Sequence, residues 1–264
     1  MGLAIFRADG EHLLPSELAR GPWDPGALHG GAPAALITAA FESCEPGAEL
    51  RIARLGFEFL RPVPLAPLSL AVRTVRDGRR VQELAAELHA GEQLVCRASA
   101  LRVREVPEDL PASAGAGSAE PRAMPGPQAA RAVRFALNDS DHASFAASAM
   151  EIRFLDDASA LGPARVWMHL RHPLVEGRPT TPLTRLSAAA DFGNGVSAAL
   201  PFERFLFINA DLTIHLHRHP RGEWIGLDAR TVLESGGAGL AESVLHDVEG
   251  PVGRAFQTLV VAPR

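Results

Sequence analysis

The chain of 264 residues has no lysine and no tyrosine. Those two absences remove Schiff-base chemistry, the lysine of a phosphate-binding loop and tyrosine acid/base roles together. Cysteine is down to two residues, Cys44 and Cys96, too few and too far apart for a metal-ligand spacing and consistent with a reducing compartment. No Gly-x-Ser-x-Gly elbow, His-Glu-x-x-His pair or glycine-rich dinucleotide pattern occurs. No run of 18 apolar residues is present, and Met1–Asp9 lacks a basic region followed by an apolar stretch, so the expected location is the cytoplasm. A formal charge of -5 gives no electrostatic reason to expect a nucleic acid or a membrane as partner.

What remains is 47% hydrophobic and 22% charged, the make-up of a folded globular chain. The segment Thr180-Thr181-Pro182 to Gly193-Asn194-Gly195 begins with hydroxyl residues ahead of a proline and closes on glycines. That pattern predicts a helix with a hydroxyl N-cap and a left-handed glycine stop. Its interior is nearly apolar, so the helix is expected to be buried, yet it carries Asp191 at its far end. A second apolar helix is predicted after His29-Gly30-Gly31-Ala32-Pro33, with Leu36, Ala39, Ala40 and Ser43 at helical spacing.

Alternating apolar residues predict strands around both helices. In the first half these are Leu55–Phe59, Leu68–Val72, Leu84–Leu88 and Val95–Val103, with a hairpin turn at Arg76–Arg79. In the second they are Met150–Phe154, Val166–Leu170, Leu212–Leu216, Ile225–Thr231, Leu240–His246 and Ala255–Val261. Between the halves a Pro/Ala/Gly/Ser-rich stretch without periodicity reads as a linker. The expected division is residues 1–107, a linker over 108–131, and residues 132–264. Both halves repeat one order of elements, and Glu42 and Asp191 each lie nine residues after a helix proline, Pro33 and Pro182. These features predict an internal duplication. The fold class is therefore α+β: two repeats of an antiparallel sheet around a long buried helix.

The arrangement resembles a double hotdog, and the local sequences are similar to the acyl-CoA thioesterase II family. His29-Gly30-Gly31, Phe59-Leu60-Arg61-Pro62 and Arg76-Asp77-Gly78 carry the likeness in the first half. Asp191, the strand from Asp211 to His217-Arg218, and Gln257 carry it in the second. The resemblance implies a hydrolase of fatty acid metabolism. It would cleave acyl-CoA without cofactor or metal, through a water held by an Asp, a Thr or Ser, and a Gln. By position Asp191 is the Asp and Gln257 the Gln, while Asn209 stands where the hydroxyl is expected. His29, Gly30 and Gly31 are expected to line the substrate site, with helix-start amides available to an oxyanion. Homo-oligomers of double-hotdog units are an implied possibility.

Each residue also has a plainer reading. Asp191 can bond to turn amides, Asn209 can be a turn residue, and Gln257 can face outward. Glu42, followed by Glu45, reads as solvated. His215, His217 and His219 alternate like metal ligands, but Pro220 ends the run and no fourth ligand is apparent. Two other functions stay open: a hotdog enoyl-CoA hydratase or dehydratase using a histidine beside a buried acid, and a non-catalytic acyl-CoA or lipid binder.

Overall fold

A computed structural model of the chain describes residues 3–44, 50–105, 124–134 and 142–264. Two short strands, β1 (Phe6–Asp9) and β2 (His12–Pro15), precede helix α1 (Gly31–Ser43). Strands β3 (Leu50–Phe59), β4 (Leu68–Asp77), β5 (Val81–Ala90) and β6 (Gln93–Arg104) complete the first half. The second half runs β7 (Arg131–Val133), β8 (Met150–Phe154), β9 (Ala164–Leu170), α2 (Pro182–Ala190), α3 (Gly193–Val196) and β10 (Phe205–Asn209). It ends with β11 (Asp211–Leu216), β12 (Trp224–Leu233), β13 (Ala238–Asp247) and β14 (Gly250–Pro263).

All strand pairs are antiparallel, in the order β1-β2-β4-β5-β6-β3-β11-β14-β13-β12-β9-β8-β7, with β10 added to the end of β14. Reading outward from the β3–β11 junction, β6, β5, β4, β2 on one side answer β14, β13, β12, β9 on the other. The duplication is thus written into the strand order. The junction pairs Asp211 with Glu58 through His215 with Arg54.

Both helices are buried and pack on each other. Gly31 is needed at their crossing, because a Cβ there would come within 2.5 Å of the Ala188 carbonyl. Thr38 Oγ1 lies 2.9 Å from Ser187 Oγ across the same contact and 2.8 Å from the Ala34 carbonyl, so both buried hydroxyls have partners. Ile37 and Phe41 have no exposed surface, and burying side chains of this size contributes about 1.5–3 kcal/mol each. The last carbonyls of α1 are capped by a buried cation: Arg102 donates to Phe41 O, to Cys44 O at 2.9 Å, and to Gln82 Oε1 at 2.9 Å.

Three details depart from the sequence reading. Helix α2 has nine residues, so it is not long, and it opens as expected with Thr181 Oγ1 accepting from the Thr184 amide at 3.0 Å. Its continuation is different. Gly193 and Gly195 are not left-handed stops but begin and continue α3, and no positive φ occurs at either. Gly193 is required by space instead: a Cβ would sit 2.7 Å from Gln257 Oε1 and 2.8 Å from Ser243 Oγ. Of the expected linker, residues 108–123 lie outside the described residues. Its remainder is docked on the second half: Trp167 Nε1 donates to Pro125 O at 2.6 Å and Arg153 to Pro127 O at 3.2 Å.

Candidate active site

Asp191 is the first residue after α2, and the helix carries it into the interior with only 4% exposure. A carboxylate there needs partners, since an unpaired buried charge is costly. Three elements supply them. From β10, Asn209 Nδ2 donates to Asp191 Oδ1 at 2.9 Å, and Asn209 is itself steadied by donating to Asp211 O at 3.1 Å. From β14, Gln257 Nε2 donates to the Asp191 main-chain carbonyl at 3.0 Å, with Oδ1 at 3.5 Å. From the start of α1, His29 Nδ1 lies 3.0 Å from Asp191 Oδ2.

Gln257 shares the inward face of β14 with Ala255 and Leu259, as the alternation predicts, and is 1% exposed. Its Oε1 accepts from the Asn194 amide at 3.0 Å, and Asn194 Nδ2 donates to Phe207 O at 3.1 Å. The glutamine therefore ties the α2–α3 corner to the sheet as well as reaching the carboxylate.

His29 is gripped from several sides. Its ring stacks on Phe192 at 4.3 Å and lies 5.2 Å from Phe145. The Gly31 amide approaches the same Nδ1 at 3.1 Å. A ring nitrogen has one in-plane bonding direction, so Nδ1 either accepts from Gly31 or donates to Asp191. Gly30 matters because of what it lacks: a Cβ would fall 2.8 Å and 2.9 Å from the two Asp191 oxygens. Gly31, expected to line the site, faces Ala188 and Phe145 instead and is a packing glycine.

These groups open onto a cavity of about 560 Å³. His29, Gly30, Asp191 and Asn209 form its polar end, and the walls include Trp23, Phe59, Phe202 and Val260. The volume falls in the range of sites for drug-sized ligands. Trp23 is held edge-on to Phe207 at 5.4 Å and tilted against Phe202 at 5.7 Å, a wall formed by the anchor of the early turn and β10.

Sequence models of two domains match the chain: the acyl-CoA thioesterase N-terminal domain over residues 19–103 and the acyl-CoA thioesterase C-terminal domain over residues 107–261. The chain belongs to the acyl-CoA thioesterase family. No curated protein matches this thioesterase-family chain in sequence. Solved structures agree on the fold, which is a hotdog fold. A provisionally named thioesterase II from Thermobifida fusca is 18% identical with TM-score 0.75, covering 97% of this chain and 94% of that one. A hot dog fold protein from Alicyclobacillus acidocaldarius is 16% identical with TM-score 0.73, covering 98% and 95%. An acyl-CoA thioesterase II from Mycobacterium marinum is 17% identical with TM-score 0.62, covering 90% and 91%.

Other sequence candidates are placed elsewhere. Glu42 is not free in solvent: its Oε2 accepts from Thr181 Oγ1 at 2.6 Å and Thr184 Oγ1 at 2.9 Å at the start of α2. His217 and His219 bond through Nε2 to the carbonyls of Pro251 and Ile52, at 3.1 Å and 2.9 Å. Among the described residues no group of three potential metal ligands converges, and no helix is long and apolar enough to cross a membrane. The close pairing of His29 with Asp191 had no local signal, since 162 positions separate them. Only the assumption that the two helices run antiparallel, each start beside the other's end, would have exposed it.

Proposed function

We propose that this chain is an acyl-CoA thioesterase in which Asp191 holds and deprotonates the attacking water, and that it acts in fatty acid metabolism. The observation that carries the reading is a buried carboxylate, fixed by Asn209 and His29, at the polar end of a largely apolar cavity. Water bound to Asp191 Oδ2 attacks the thioester carbonyl carbon and gives its proton to the carboxylate. The carbonyl oxygen becomes an oxyanion facing the Gly30 amide at the positive end of α1. Collapse of the tetrahedral intermediate breaks the carbon–sulfur bond, and the CoA thiolate takes the proton back from Asp191. The products are free acid and CoA. Asn209 orients the carboxylate by a charge-assisted hydrogen bond, where the family resemblance implies a hydroxyl. Gln257 holds the corner on which Asp191 sits. We read the chain as two hotdog repeats, residues 1–107 and 132–264 joined by residues 108–131, working in the cytoplasm, with one active centre.

Purified protein assayed against acyl-CoAs of graded chain length, beside Asp191→Asn, tests the reading. Turnover is expected in the wild type and a loss of roughly 10²–10⁴-fold in the variant, the size of a general-base contribution. Equal rates in the two proteins refute it.

A second reading has one observation in its favour. The 3.0 Å contact of His29 with Asp191 meets the geometric requirement of an enoyl-CoA hydratase or dehydratase. Incubation with a 2-enoyl-CoA separates the two: hydration consumes the double bond and leaves the thioester intact, whereas hydrolysis releases a thiol. Binding of acyl-CoA with neither outcome selects a non-catalytic binder.

A further inference from the structure

The cavity passes over the last strand added to the sheet, β10. Among the described residues β10 pairs with no strand other than β14, and its outer edge is held at Phe207 O by Asn194 Nδ2, 3.1 Å away. Asn209 lines the cavity on the helix side, while Ile208 and Val260 line it where they are 41% and 58% exposed on the outer side. Leu60, 44% exposed, faces them from the end of β3. This apolar rim marks the mouth, and Arg61 stands on it, while a second guanidinium, Arg264, lies 5.3 Å over the ring of the lining residue Trp23. Arg61 is the only arginine among the cavity-lining residues, in a chain without lysine. It is exposed and, among the described residues, pairs with no carboxylate.

Its backbone is fixed on both sides. Phe59 N–H donates to Ala210 O at 2.9 Å, Leu60 N–H to Val95 O at 3.1 Å, and Leu28 N–H to Val63 O at 2.7 Å, with Pro62 and Pro64 restricting the segment further. The first of these bonds sets Phe59 beside Ala210, the residue after Asn209, and Arg61 lies two residues further on, where the chain bends. A thioester carbonyl at Asp191 and an anionic group at Arg61 would therefore sit at opposite ends of one ligand. We infer that Arg61 receives the phosphate end of the CoA carrier and sets the preference for acyl-CoA over thioesters that lack the nucleotide. A planar guanidinium with five donors is suited to a phosphate that straddles the rim. The inference rests on the thioesterase reading only for its assay, because binding of CoA itself reports on the same contact.

The test compares one acyl group carried by CoA and by pantetheine, in wild type, Arg61→Ala and Arg61→Lys. The ratio of kcat/KM for acyl-CoA to that for acyl-pantetheine is expected to fall about tenfold or more in Arg61→Ala, mainly through KM, as for a lost hydrogen bond to a charged group. Arg61→Lys is expected to recover part of the loss, and the wild-type ratio to fall with added salt. Equilibrium binding of free CoA to each protein gives a readout independent of turnover, with the same loss expected. Loss of hydrolysis with every thioester while wild type still binds CoA more tightly than Arg61→Ala would sink the thioesterase reading alone. An unchanged ratio in Arg61→Ala, or equal CoA binding by wild type and variant, overturns the role of Arg61.

Discussion

Gly30→Ala adds one carbon to the chain at the point where the proposed chemistry has least room. Gly30 already has helical backbone angles, φ -57° and ψ -27°, so alanine meets no conformational strain. The difficulty is space. The new Cβ would lie 2.8 Å and 2.9 Å from the Asp191 oxygens, roughly 0.6–0.7 Å inside ordinary contact distance. Asp191 cannot give way without lengthening its 2.9 Å bond to Asn209 or its 3.0 Å contact with His29. Overpacking of this kind costs about 1–3 kcal/mol of stability, which an intact fold tolerates. Catalysis is more sensitive, because a misplacement of about 1 Å can lower a rate 10²-fold. The expected result is a folded protein, with a melting temperature lowered by a few degrees, that releases free thiol from acyl-CoA about 10–100 times more slowly. Gly236→Ala is the control, since a Cβ there meets nothing within 4 Å. If Gly30→Ala and Gly236→Ala both retain wild-type rates, the carboxylate position does not limit the reaction and the role given to Asp191 is wrong.

Three further outcomes follow from the same geometry. Asn209→Leu removes a hydrogen bond to a buried carboxylate, a loss of about 1.5–3 kcal/mol; kcat should fall about 10–100-fold and Asn209→Thr should recover part of it, whereas a wild-type rate in Asn209→Leu would show that the amide is a bystander. Unfolding midpoints in urea should drop on acidification. Burial lowers the His246 pKa, so the unfolded chain takes up a proton below the ordinary histidine value of 6.5 that the fold resists. Burial would raise the Asp247 carboxyl, but the Arg218 guanidinium (2.7 Å) and the amides of Arg221 and Glu249 outweigh it and hold it low, so that its contribution is also lost as pH falls; Asp247→Asn should flatten the acid limb, and midpoints that stay level from neutral to acid pH would contradict both. Glu42→Gln should lower stability by about 1–2 kcal/mol through weaker bonds to Thr181 and Thr184 while kcat/KM stays within about twofold, and a large loss of activity would mean that Glu42 takes part in catalysis.

The elements with a clear period were legible in the sequence. Strands β3 to β6 and β8, β9 and β11 to β14 lie where alternation of apolar residues predicts; most of them bury one face, while β4 buries only Leu68 fully. The buried faces of α1 and α2 were legible in the same way. Strands β1, β2 and β10 are short and their apolar residues do not alternate, unlike those of the equally short β8. Gly193 was misread because a glycine chosen for close approach and one chosen for positive φ look alike in a sequence. At the site, Asp191 stood out as an acid at the end of an apolar helix, whereas Gln257 was named through the family resemblance. His29 was placed nearby but not on the carboxylate, and the Gly30 contact was invisible, since both depend on how two helices distant in sequence cross.

That crossing also explains why two matching carboxylates end in different circumstances. The helices are antiparallel, so Glu42 at the end of α1 meets the start of α2, and Asp191 after α2 meets the start of α1. At the first junction the longer side chain reaches two threonine hydroxyls, and one oxygen is already engaged by both. At the second, the shorter side chain faces a glycine with no side chain to fill the space, and the cavity opens there. Nearby strands reinforce the difference: β14 offers Gln257 where β6, by the register of the repeats, offers Ala100, which has no polar side-chain atom. A carboxylate surrounded by donors and closed in by side chains holds helices together; one with an open flank can bind water. The duplicated fold thus supplies the same acid position twice, and the residues opposite each copy decide which one latches two helices and which one faces the cavity.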